Sequence, residues 1–142
     1  MKPSQKTEPA RDAILLAARI LLMLLFLIFG LEKVTGFGQT ASLFAHMGVP
    51  LPTLATLVAI VVELGMGMLL VLGLFTRPLA ILMALYTCAT AFIGHHYWTL
   101  SGSERFFAEI DFFKNVAIAG GLLLLYVAGP GRHSLDHKLR LT

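Results

Sequence analysis

The chain is dominated by long apolar runs separated by short polar stretches rich in glycine and proline. The first run, Ala13 to Leu31, reads AILLAARILLMLLFLIFGL and is broken only by Arg19. Its nineteen residues come close to the roughly 20 that a helix needs to cross about 30 Å of hydrocarbon. The run outlasts the roughly 7–15-residue apolar core of a signal peptide, and no A-x-A cleavage site follows, so it reads as a retained span. Further spans are predicted over residues 53–75, with one charge at Glu63, over 78–98 and over 112–129. Pro78 suits the first turn of the third, where its missing N–H costs nothing. Tyr97 and Trp98 form an aromatic anchor at that helix's far end. In the fourth, Lys114 and Asn115 lie in the first turn, where the lysine can snorkel outward, and Gly129-Pro130-Gly131 ends the helix.

The connecting stretches are polar. Residues 1–12 lack apolar periodicity and read as a disordered arm. Residues 32–52 carry Gly36, Gly38, Gly48, Pro50 and Pro52 and read as a loop. Within it, 40–47 suits a short interfacial helix with Leu43, Phe44 and Met47 toward lipid. Residues 99–111 read as a polar loop and 132–142 as a short polar tail. The expected fold is an all-α membrane protein, an antiparallel bundle of four transmembrane helices.

Composition agrees: 57% of the 142 residues are hydrophobic, 13% are charged, and mean hydropathy is +0.81. A soluble domain carries roughly 25% charged residues, so this chain has too little polar surface to cover a water-soluble globule. The net charge of +3 and pI near 9.3 raise nucleic acid as a partner, but the basic residues form no soluble patch and flank the spans instead. Lys2, Lys6, Arg11, Arg77, Arg132, Lys138 and Arg140 fall on one side, against Lys33, Arg105 and Lys114 on the other. Seven against three predicts cytoplasmic termini.

Between helices in lipid, close packing and polar contacts replace apolar burial as the driving force. Small residues at four-residue spacing therefore mark candidate contacts: Ala59, Glu63 and Gly67; Ala84, Cys88 and Phe92; Ala117 and Gly121. Gly65-x-Gly67 and Gly120-Gly121 weaken a helix unless a neighbour packs against them. Cys88, the lone cysteine, excludes an internal disulfide and paired-thiol redox chemistry and reads as a packing residue.

Two charges lie too deep to reach an interface. Arg19 sits roughly 10 Å inside one boundary and Glu63 roughly 15 Å inside the other, so both should face the bundle interior. Their depths allow an Arg19–Glu63 pair, either as a structural salt bridge or as a pocket that grips a ligand head group. A second set gathers at the opposite surface: Lys33, His95 and Lys114, with Asp111 beginning the fourth span. These would make a cationic, titratable site suited to a phenolate or a quinone oxygen, against the plainer reading of head-group contacts. Asn115, Arg77 and Asp111 are further candidates. His95 and His96 point about 100° apart on a helix and cannot easily share an ion, so no metal or haem site is expected. Walker, Rossmann and serine-elbow motifs are absent from the sequence.

Several short motifs occur in a particular order: Gly30-x-x-Lys33-x-x-Gly36, Met47-Gly48-Val49-Pro50, Glu63-x-Gly65-x-Gly67, and Leu72-Gly73-Leu74-Phe75-Thr76-Arg77. His95 follows, then Phe113-Lys114-Asn115, Gly120-Gly121-Leu122 and Gly129-Pro130-Gly131-x-x-Ser134-x-Asp136. Their order and spacing, from about Ala18 to Asp136, resemble the DoxX family, in its bacterial inner-membrane branch. The resemblance implies a neighbourhood of quinones and redox stress. Family members resemble the membrane subunit of thiosulfate:quinone oxidoreductase, are linked to catechol stress, or form complexes with oxidative-stress enzymes. It transfers no catalytic residue. The leading expectation is a membrane redox component whose quinone or catechol ligand is held by Arg19, Glu63, Lys33, His95 and Lys114. The chain offers no redox centre of its own, so a soluble or membrane oxidoreductase partner is expected to supply electrons. The alternatives are a non-catalytic anchor for such an enzyme and, third, a small-molecule permeation protein. The bilayer is a partner in every case, a homo-oligomer remains open, and nucleic acid is not expected.

Overall fold

A computed structural model of the chain describes residues 7–141. Helix α1 runs Thr7–Thr35 and α2 runs Phe37–His46. Helix α3 spans Pro52–Leu72, with a widened π turn at Val61–Met66. Helix α4 runs Thr76–Gly94, α5 runs Gly102–Ala128, and a one-turn helix α6 runs Leu135–Lys138. A 3₁₀ turn at Tyr97–Thr99 links α4 to α5. The described residues contain no strand, and four helices, α1, α3, α4 and α5, are long and apolar enough to cross a membrane.

Several helix ends differ from expectation. Helix α1 starts at Thr7, so the second half of the predicted disordered arm is helical; residues 1–6 of that arm lie outside the described residues. Between Glu8 and Gly36 the only weak helix formers of note are Pro9, which falls in the first turn where it is tolerated, and Gly30, a single glycine where α1 packs closely on α3. Helix α5 begins at Gly102, taking up most of the predicted loop 99–111, because SERFFAEID contains good helix formers and no Gly or Pro. Helix α4 starts at Thr76 with Pro78 in its first turn, and α2 takes up about half of the first loop, including most of the short helix expected over 40–47. Helix α3 stops at Leu72 because Gly73 takes φ 71°, a left-handed conformation open to glycine.

The core joins all four long helices: Met23 and Phe26 from α1, Leu70 from α3, Met83 from α4 and Leu122 from α5. Large apolar side chains cover the outside, among them Leu21, Leu85, Leu124 and Val127, as a lipid-facing surface requires. The predicted small-residue faces are partly right. Ala59, Glu63 and Gly67 are all buried, and a Cβ on Gly67 would stand 3.3 Å from Leu27. Gly121 approaches Leu22 in the same way, at 3.1 Å. Gly65 and Gly120 instead meet open space, and Ala117, Cys88 and Phe92 face outward. Cys88 is therefore not the interior packing residue expected: its neighbour Thr87 points into the core, and one residue on turns the helix by about 100°.

The predicted polar tail is folded against the bundle. The Asp136 amide donates to the Gly73 carbonyl at 2.8 Å, and its carboxylate accepts from the Phe75 and Thr76 amides at 2.7 and 2.8 Å. This caps the start of α4 with a negative charge, where free N–H groups and the helix dipole favour one. The Arg132 amide donates to Asp12 at 3.0 Å, tying the tail to the start of α1. The start of α1, the end of α3, the start of α4 and the segment after α5 thus meet at one end.

Candidate functional site

Glu63 lies in the π turn of α3, and its side chain is 8% exposed. Such a turn inserts one extra residue and rotates the remainder of the helix, a feature frequent at functional sites. Lys33, in the last turn of α1, places its ammonium 2.8 Å from Glu63 Oε2. The Tyr86 hydroxyl of α4 donates to Glu63 Oε1 at 2.7 Å. Both carboxylate oxygens therefore receive a hydrogen bond, and three helices converge on one buried charge. Hydrogen bonds to an ionised acceptor are roughly twice as strong as neutral ones, which suits a group that water cannot reach.

Gly30 makes this approach possible. A Cβ there would stand 2.9 Å from Leu64 Cγ and 3.1 Å from Glu63 Cβ. The absent side chain lets α1 lie against the π turn, close enough for Lys33 to reach the carboxylate. Gly30→Ala is expected to destabilise the protein by about 1–3 kcal/mol through overpacking. Thermal unfolding in detergent will read this, and a melting point equal to wild type would refute the tight approach.

The predicted Arg19–Glu63 pair does not form. Arg19 is 0% exposed, and its Nη2 donates to the His133 carbonyl in the tail, within electrostatic reach of Asp136. Its Nε and Nη1 have no partner among the described residues. The guanidinium lies where a side chain on Gly73 would be. Depth along the helix allowed the pair, but the tail reaches Arg19 first, while Lys33 and Tyr86 saturate Glu63.

The remaining candidates form a separate group. His95 Nδ1 is 3.9 Å from Asp111 Oδ2, and Lys114 Nζ is 2.6 Å from Asp111 Oδ1. Beside them Phe92, Tyr97, Trp98 and Phe112 pack together, mostly edge to face, with Trp98 and Phe112 centroids 5.9 Å apart. No hydrogen bond or ion pair among the described residues joins this group to Lys33 or Glu63. The five expected ligand-binding residues thus occupy three places: Lys33 with Glu63, His95 with Lys114, and Arg19 alone under the tail. Asn115 is buried in α5, and Arg77 lies beside Gly129 at the tail end. Among the described residues no His, Cys, Asp and Glu side chains group as a metal-ligand set.

Sequence reasoning missed Tyr86 and Asp136. Tyr86 carried a usable signal, since a phenol in mid-span needs a hydrogen-bond partner and Glu63 is a mid-span acceptor. Asp136 stood at the end of the motif Gly129-Pro130-Gly131-x-x-Ser134-x-Asp136, but nothing in the sequence named its partners, the backbone amides of Phe75 and Thr76, sixty-one and sixty residues away.

The sequence model of a protein family described as DoxX matches residues 14–96. The chain is 50% identical over 129 residues to inner membrane protein YphA of Escherichia coli (strain K12), covering 91% of this chain and 92% of that one. Inner membrane protein YqjF of the same strain is 38% identical over 131 residues, covering 90% of this chain and 93% of its own. The ER-derived vesicles protein ERV29 of Saccharomyces cerevisiae is 27% identical over 138 residues, which are 97% of this chain and 37% of that one. No solved structure matches.

Proposed function

The chain belongs to the DoxX family and is a multi-pass protein of the bacterial inner membrane, and from that premise we propose that it is the membrane component of an oxidoreductase system handling quinones or catechols. The observation that carries this reading is the Lys33–Glu63–Tyr86 cluster around the buried Glu63 carboxylate inside the apolar spans. Ionisable groups at membrane depth are expensive to keep and mark ligand or proton pathways by default. An ammonium, a carboxylate and a phenol within hydrogen-bond distance are the groups that would polarise the oxygens of an aromatic diol or dione. In this reading the four long helices form an antiparallel bundle with cytoplasmic termini. What supports the alternation is the meeting of α1, α3, α4 and tail at one end, and what supports the sidedness is the excess of Lys and Arg there. The Lys33 end then faces the periplasm, and a partner enzyme supplies the electrons.

A second reading, a non-catalytic anchor for a soluble oxidoreductase, is favoured by one feature: both oxygens of Glu63 are already paired within the chain. Mass spectrometry of the protein extracted into native nanodiscs separates the two. A quinone or catechol retained by wild type and lost in Glu63→Gln is expected. A stoichiometric soluble enzyme with no organic ligand would overturn the pocket and establish the anchor.

A further inference from the structure

We infer that the Lys33–Glu63 site is selective for the reduced, hydroxyl-bearing form of its aromatic ligand, and that Tyr86 is an internal stand-in which that ligand displaces. This rests on the ligand reading above and narrows it to one oxidation state.

The argument starts from donors and acceptors. A carboxylate only accepts hydrogen bonds and an ammonium only donates them. The pair therefore presents one acceptor, Glu63, beside one donor, Lys33, 2.8 Å apart. A quinone carbonyl is an acceptor alone. It can take a hydrogen bond from Lys33, but it brings an oxygen lone pair against the Glu63 carboxylate and leaves Oε1, the oxygen that Tyr86 gave up, without a donor. A hydroquinone or catechol hydroxyl donates to Glu63 through its hydrogen and accepts from Lys33 through its oxygen. Only the reduced form satisfies both groups, and a buried acceptor left without its hydrogen bond is penalised.

The protein already contains one phenol in that role. The Tyr86 hydroxyl donates to Glu63 Oε1 at 2.7 Å, the contact a hydroquinone would make. Tyr86 is only partly buried, at the edge of the core, so its ring can swing toward the bilayer. The slot it leaves is the size of one phenol ring, and the incoming hydroxyl replaces the hydrogen bond that Tyr86 gives up. A site built around a tethered phenol is thus closed when empty and opens for a molecule of the same chemistry.

The test uses the full chain in nanodiscs, under anaerobic conditions, with one redox pair of equal size: 2,3-dimethylhydroquinone and 2,3-dimethylbenzoquinone. Equilibrium dialysis gives the Kd of each. Wild type is expected to bind the hydroquinone at least about tenfold more tightly, the factor of one hydrogen bond. Tyr86→Phe keeps the ring but removes the competing hydroxyl, which either ligand must displace from Glu63, so binding of both forms should tighten by about tenfold while the preference for the hydroquinone is kept. Glu63→Gln turns the acceptor into a group that also donates, so the preference for the reduced form should vanish. Equal affinity for both forms, with no response to Tyr86→Phe, would overturn the selectivity and leave a pocket of another kind. Failure of wild type and Tyr86→Phe to bind either form would overturn the pocket itself, and the selectivity with it.

Discussion

Ending the chain after Gly131 will cost the folded protein about 3–5 kcal/mol, the loss expected when a buried charge is deprived of its partner. Arg19 is 0% exposed and gives its one hydrogen bond to the His133 carbonyl; the truncation removes that acceptor and Asp136 together. There is no reserve, because Nε and Nη1 already lack partners among the described residues. The same cut uncaps α4 by taking the carboxylate from the Phe75 and Thr76 amides. Asp136→Asn keeps the volume and part of the cap and should cost less, about 1–3 kcal/mol. Urea unfolding in mixed micelles gives these values. The decisive comparison is Arg19→Met in the truncated chain, which should recover most of the loss, since replacing a stranded charge by an apolar side chain of similar length is often neutral or better. If truncation is equally damaging with and without Arg19, the tail does not serve the arginine.

The second large effect concerns Lys33 and Glu63. Lys33→Met strands a carboxylate that is 8% exposed and should destabilise by about 3–5 kcal/mol; Glu63→Leu strands the ammonium, which is 18% exposed and better able to reach the interface, and should cost less. The double variant should be milder than Lys33→Met alone, about 1–3 kcal/mol, because only the Tyr86 hydroxyl is then left without its acceptor. A double-mutant cycle on thermal unfolding measures the coupling, and simple additivity of the two single losses would show that the pair is not a pair in the membrane. The cycle also separates stability from ligand binding. Stability is expected to return in the double variant, whereas the diol binding proposed above should stay lost.

Much of the molecule was legible in the sequence. Four apolar runs of membrane length can only be spanning helices, because lipid offers the backbone no other hydrogen-bond partners. Arg19 and Glu63 had to face inward for the same reason, and both are buried. Lys33 and Glu63 were both among the candidate ligands. Less legible were the helix ends: residues 102–111 carry a polar sequence that reads equally as loop or helix until α5 extends through it. Least legible were the partners. Depth along a helix fixes one coordinate of a charged group and says nothing about which neighbouring helix faces it. Arg19 therefore looked compatible with Glu63, while the fold sent it to a tail carbonyl 114 residues away and gave Glu63 to Lys33 and Tyr86. The apolar pattern alone determined that four helices are long and apolar enough to cross a membrane and which charges their sequences carry. Tertiary structure decided how those charges are satisfied, because a hydrogen bond depends on angstrom distances between segments far apart in the chain, and those distances exist only once the helices have packed.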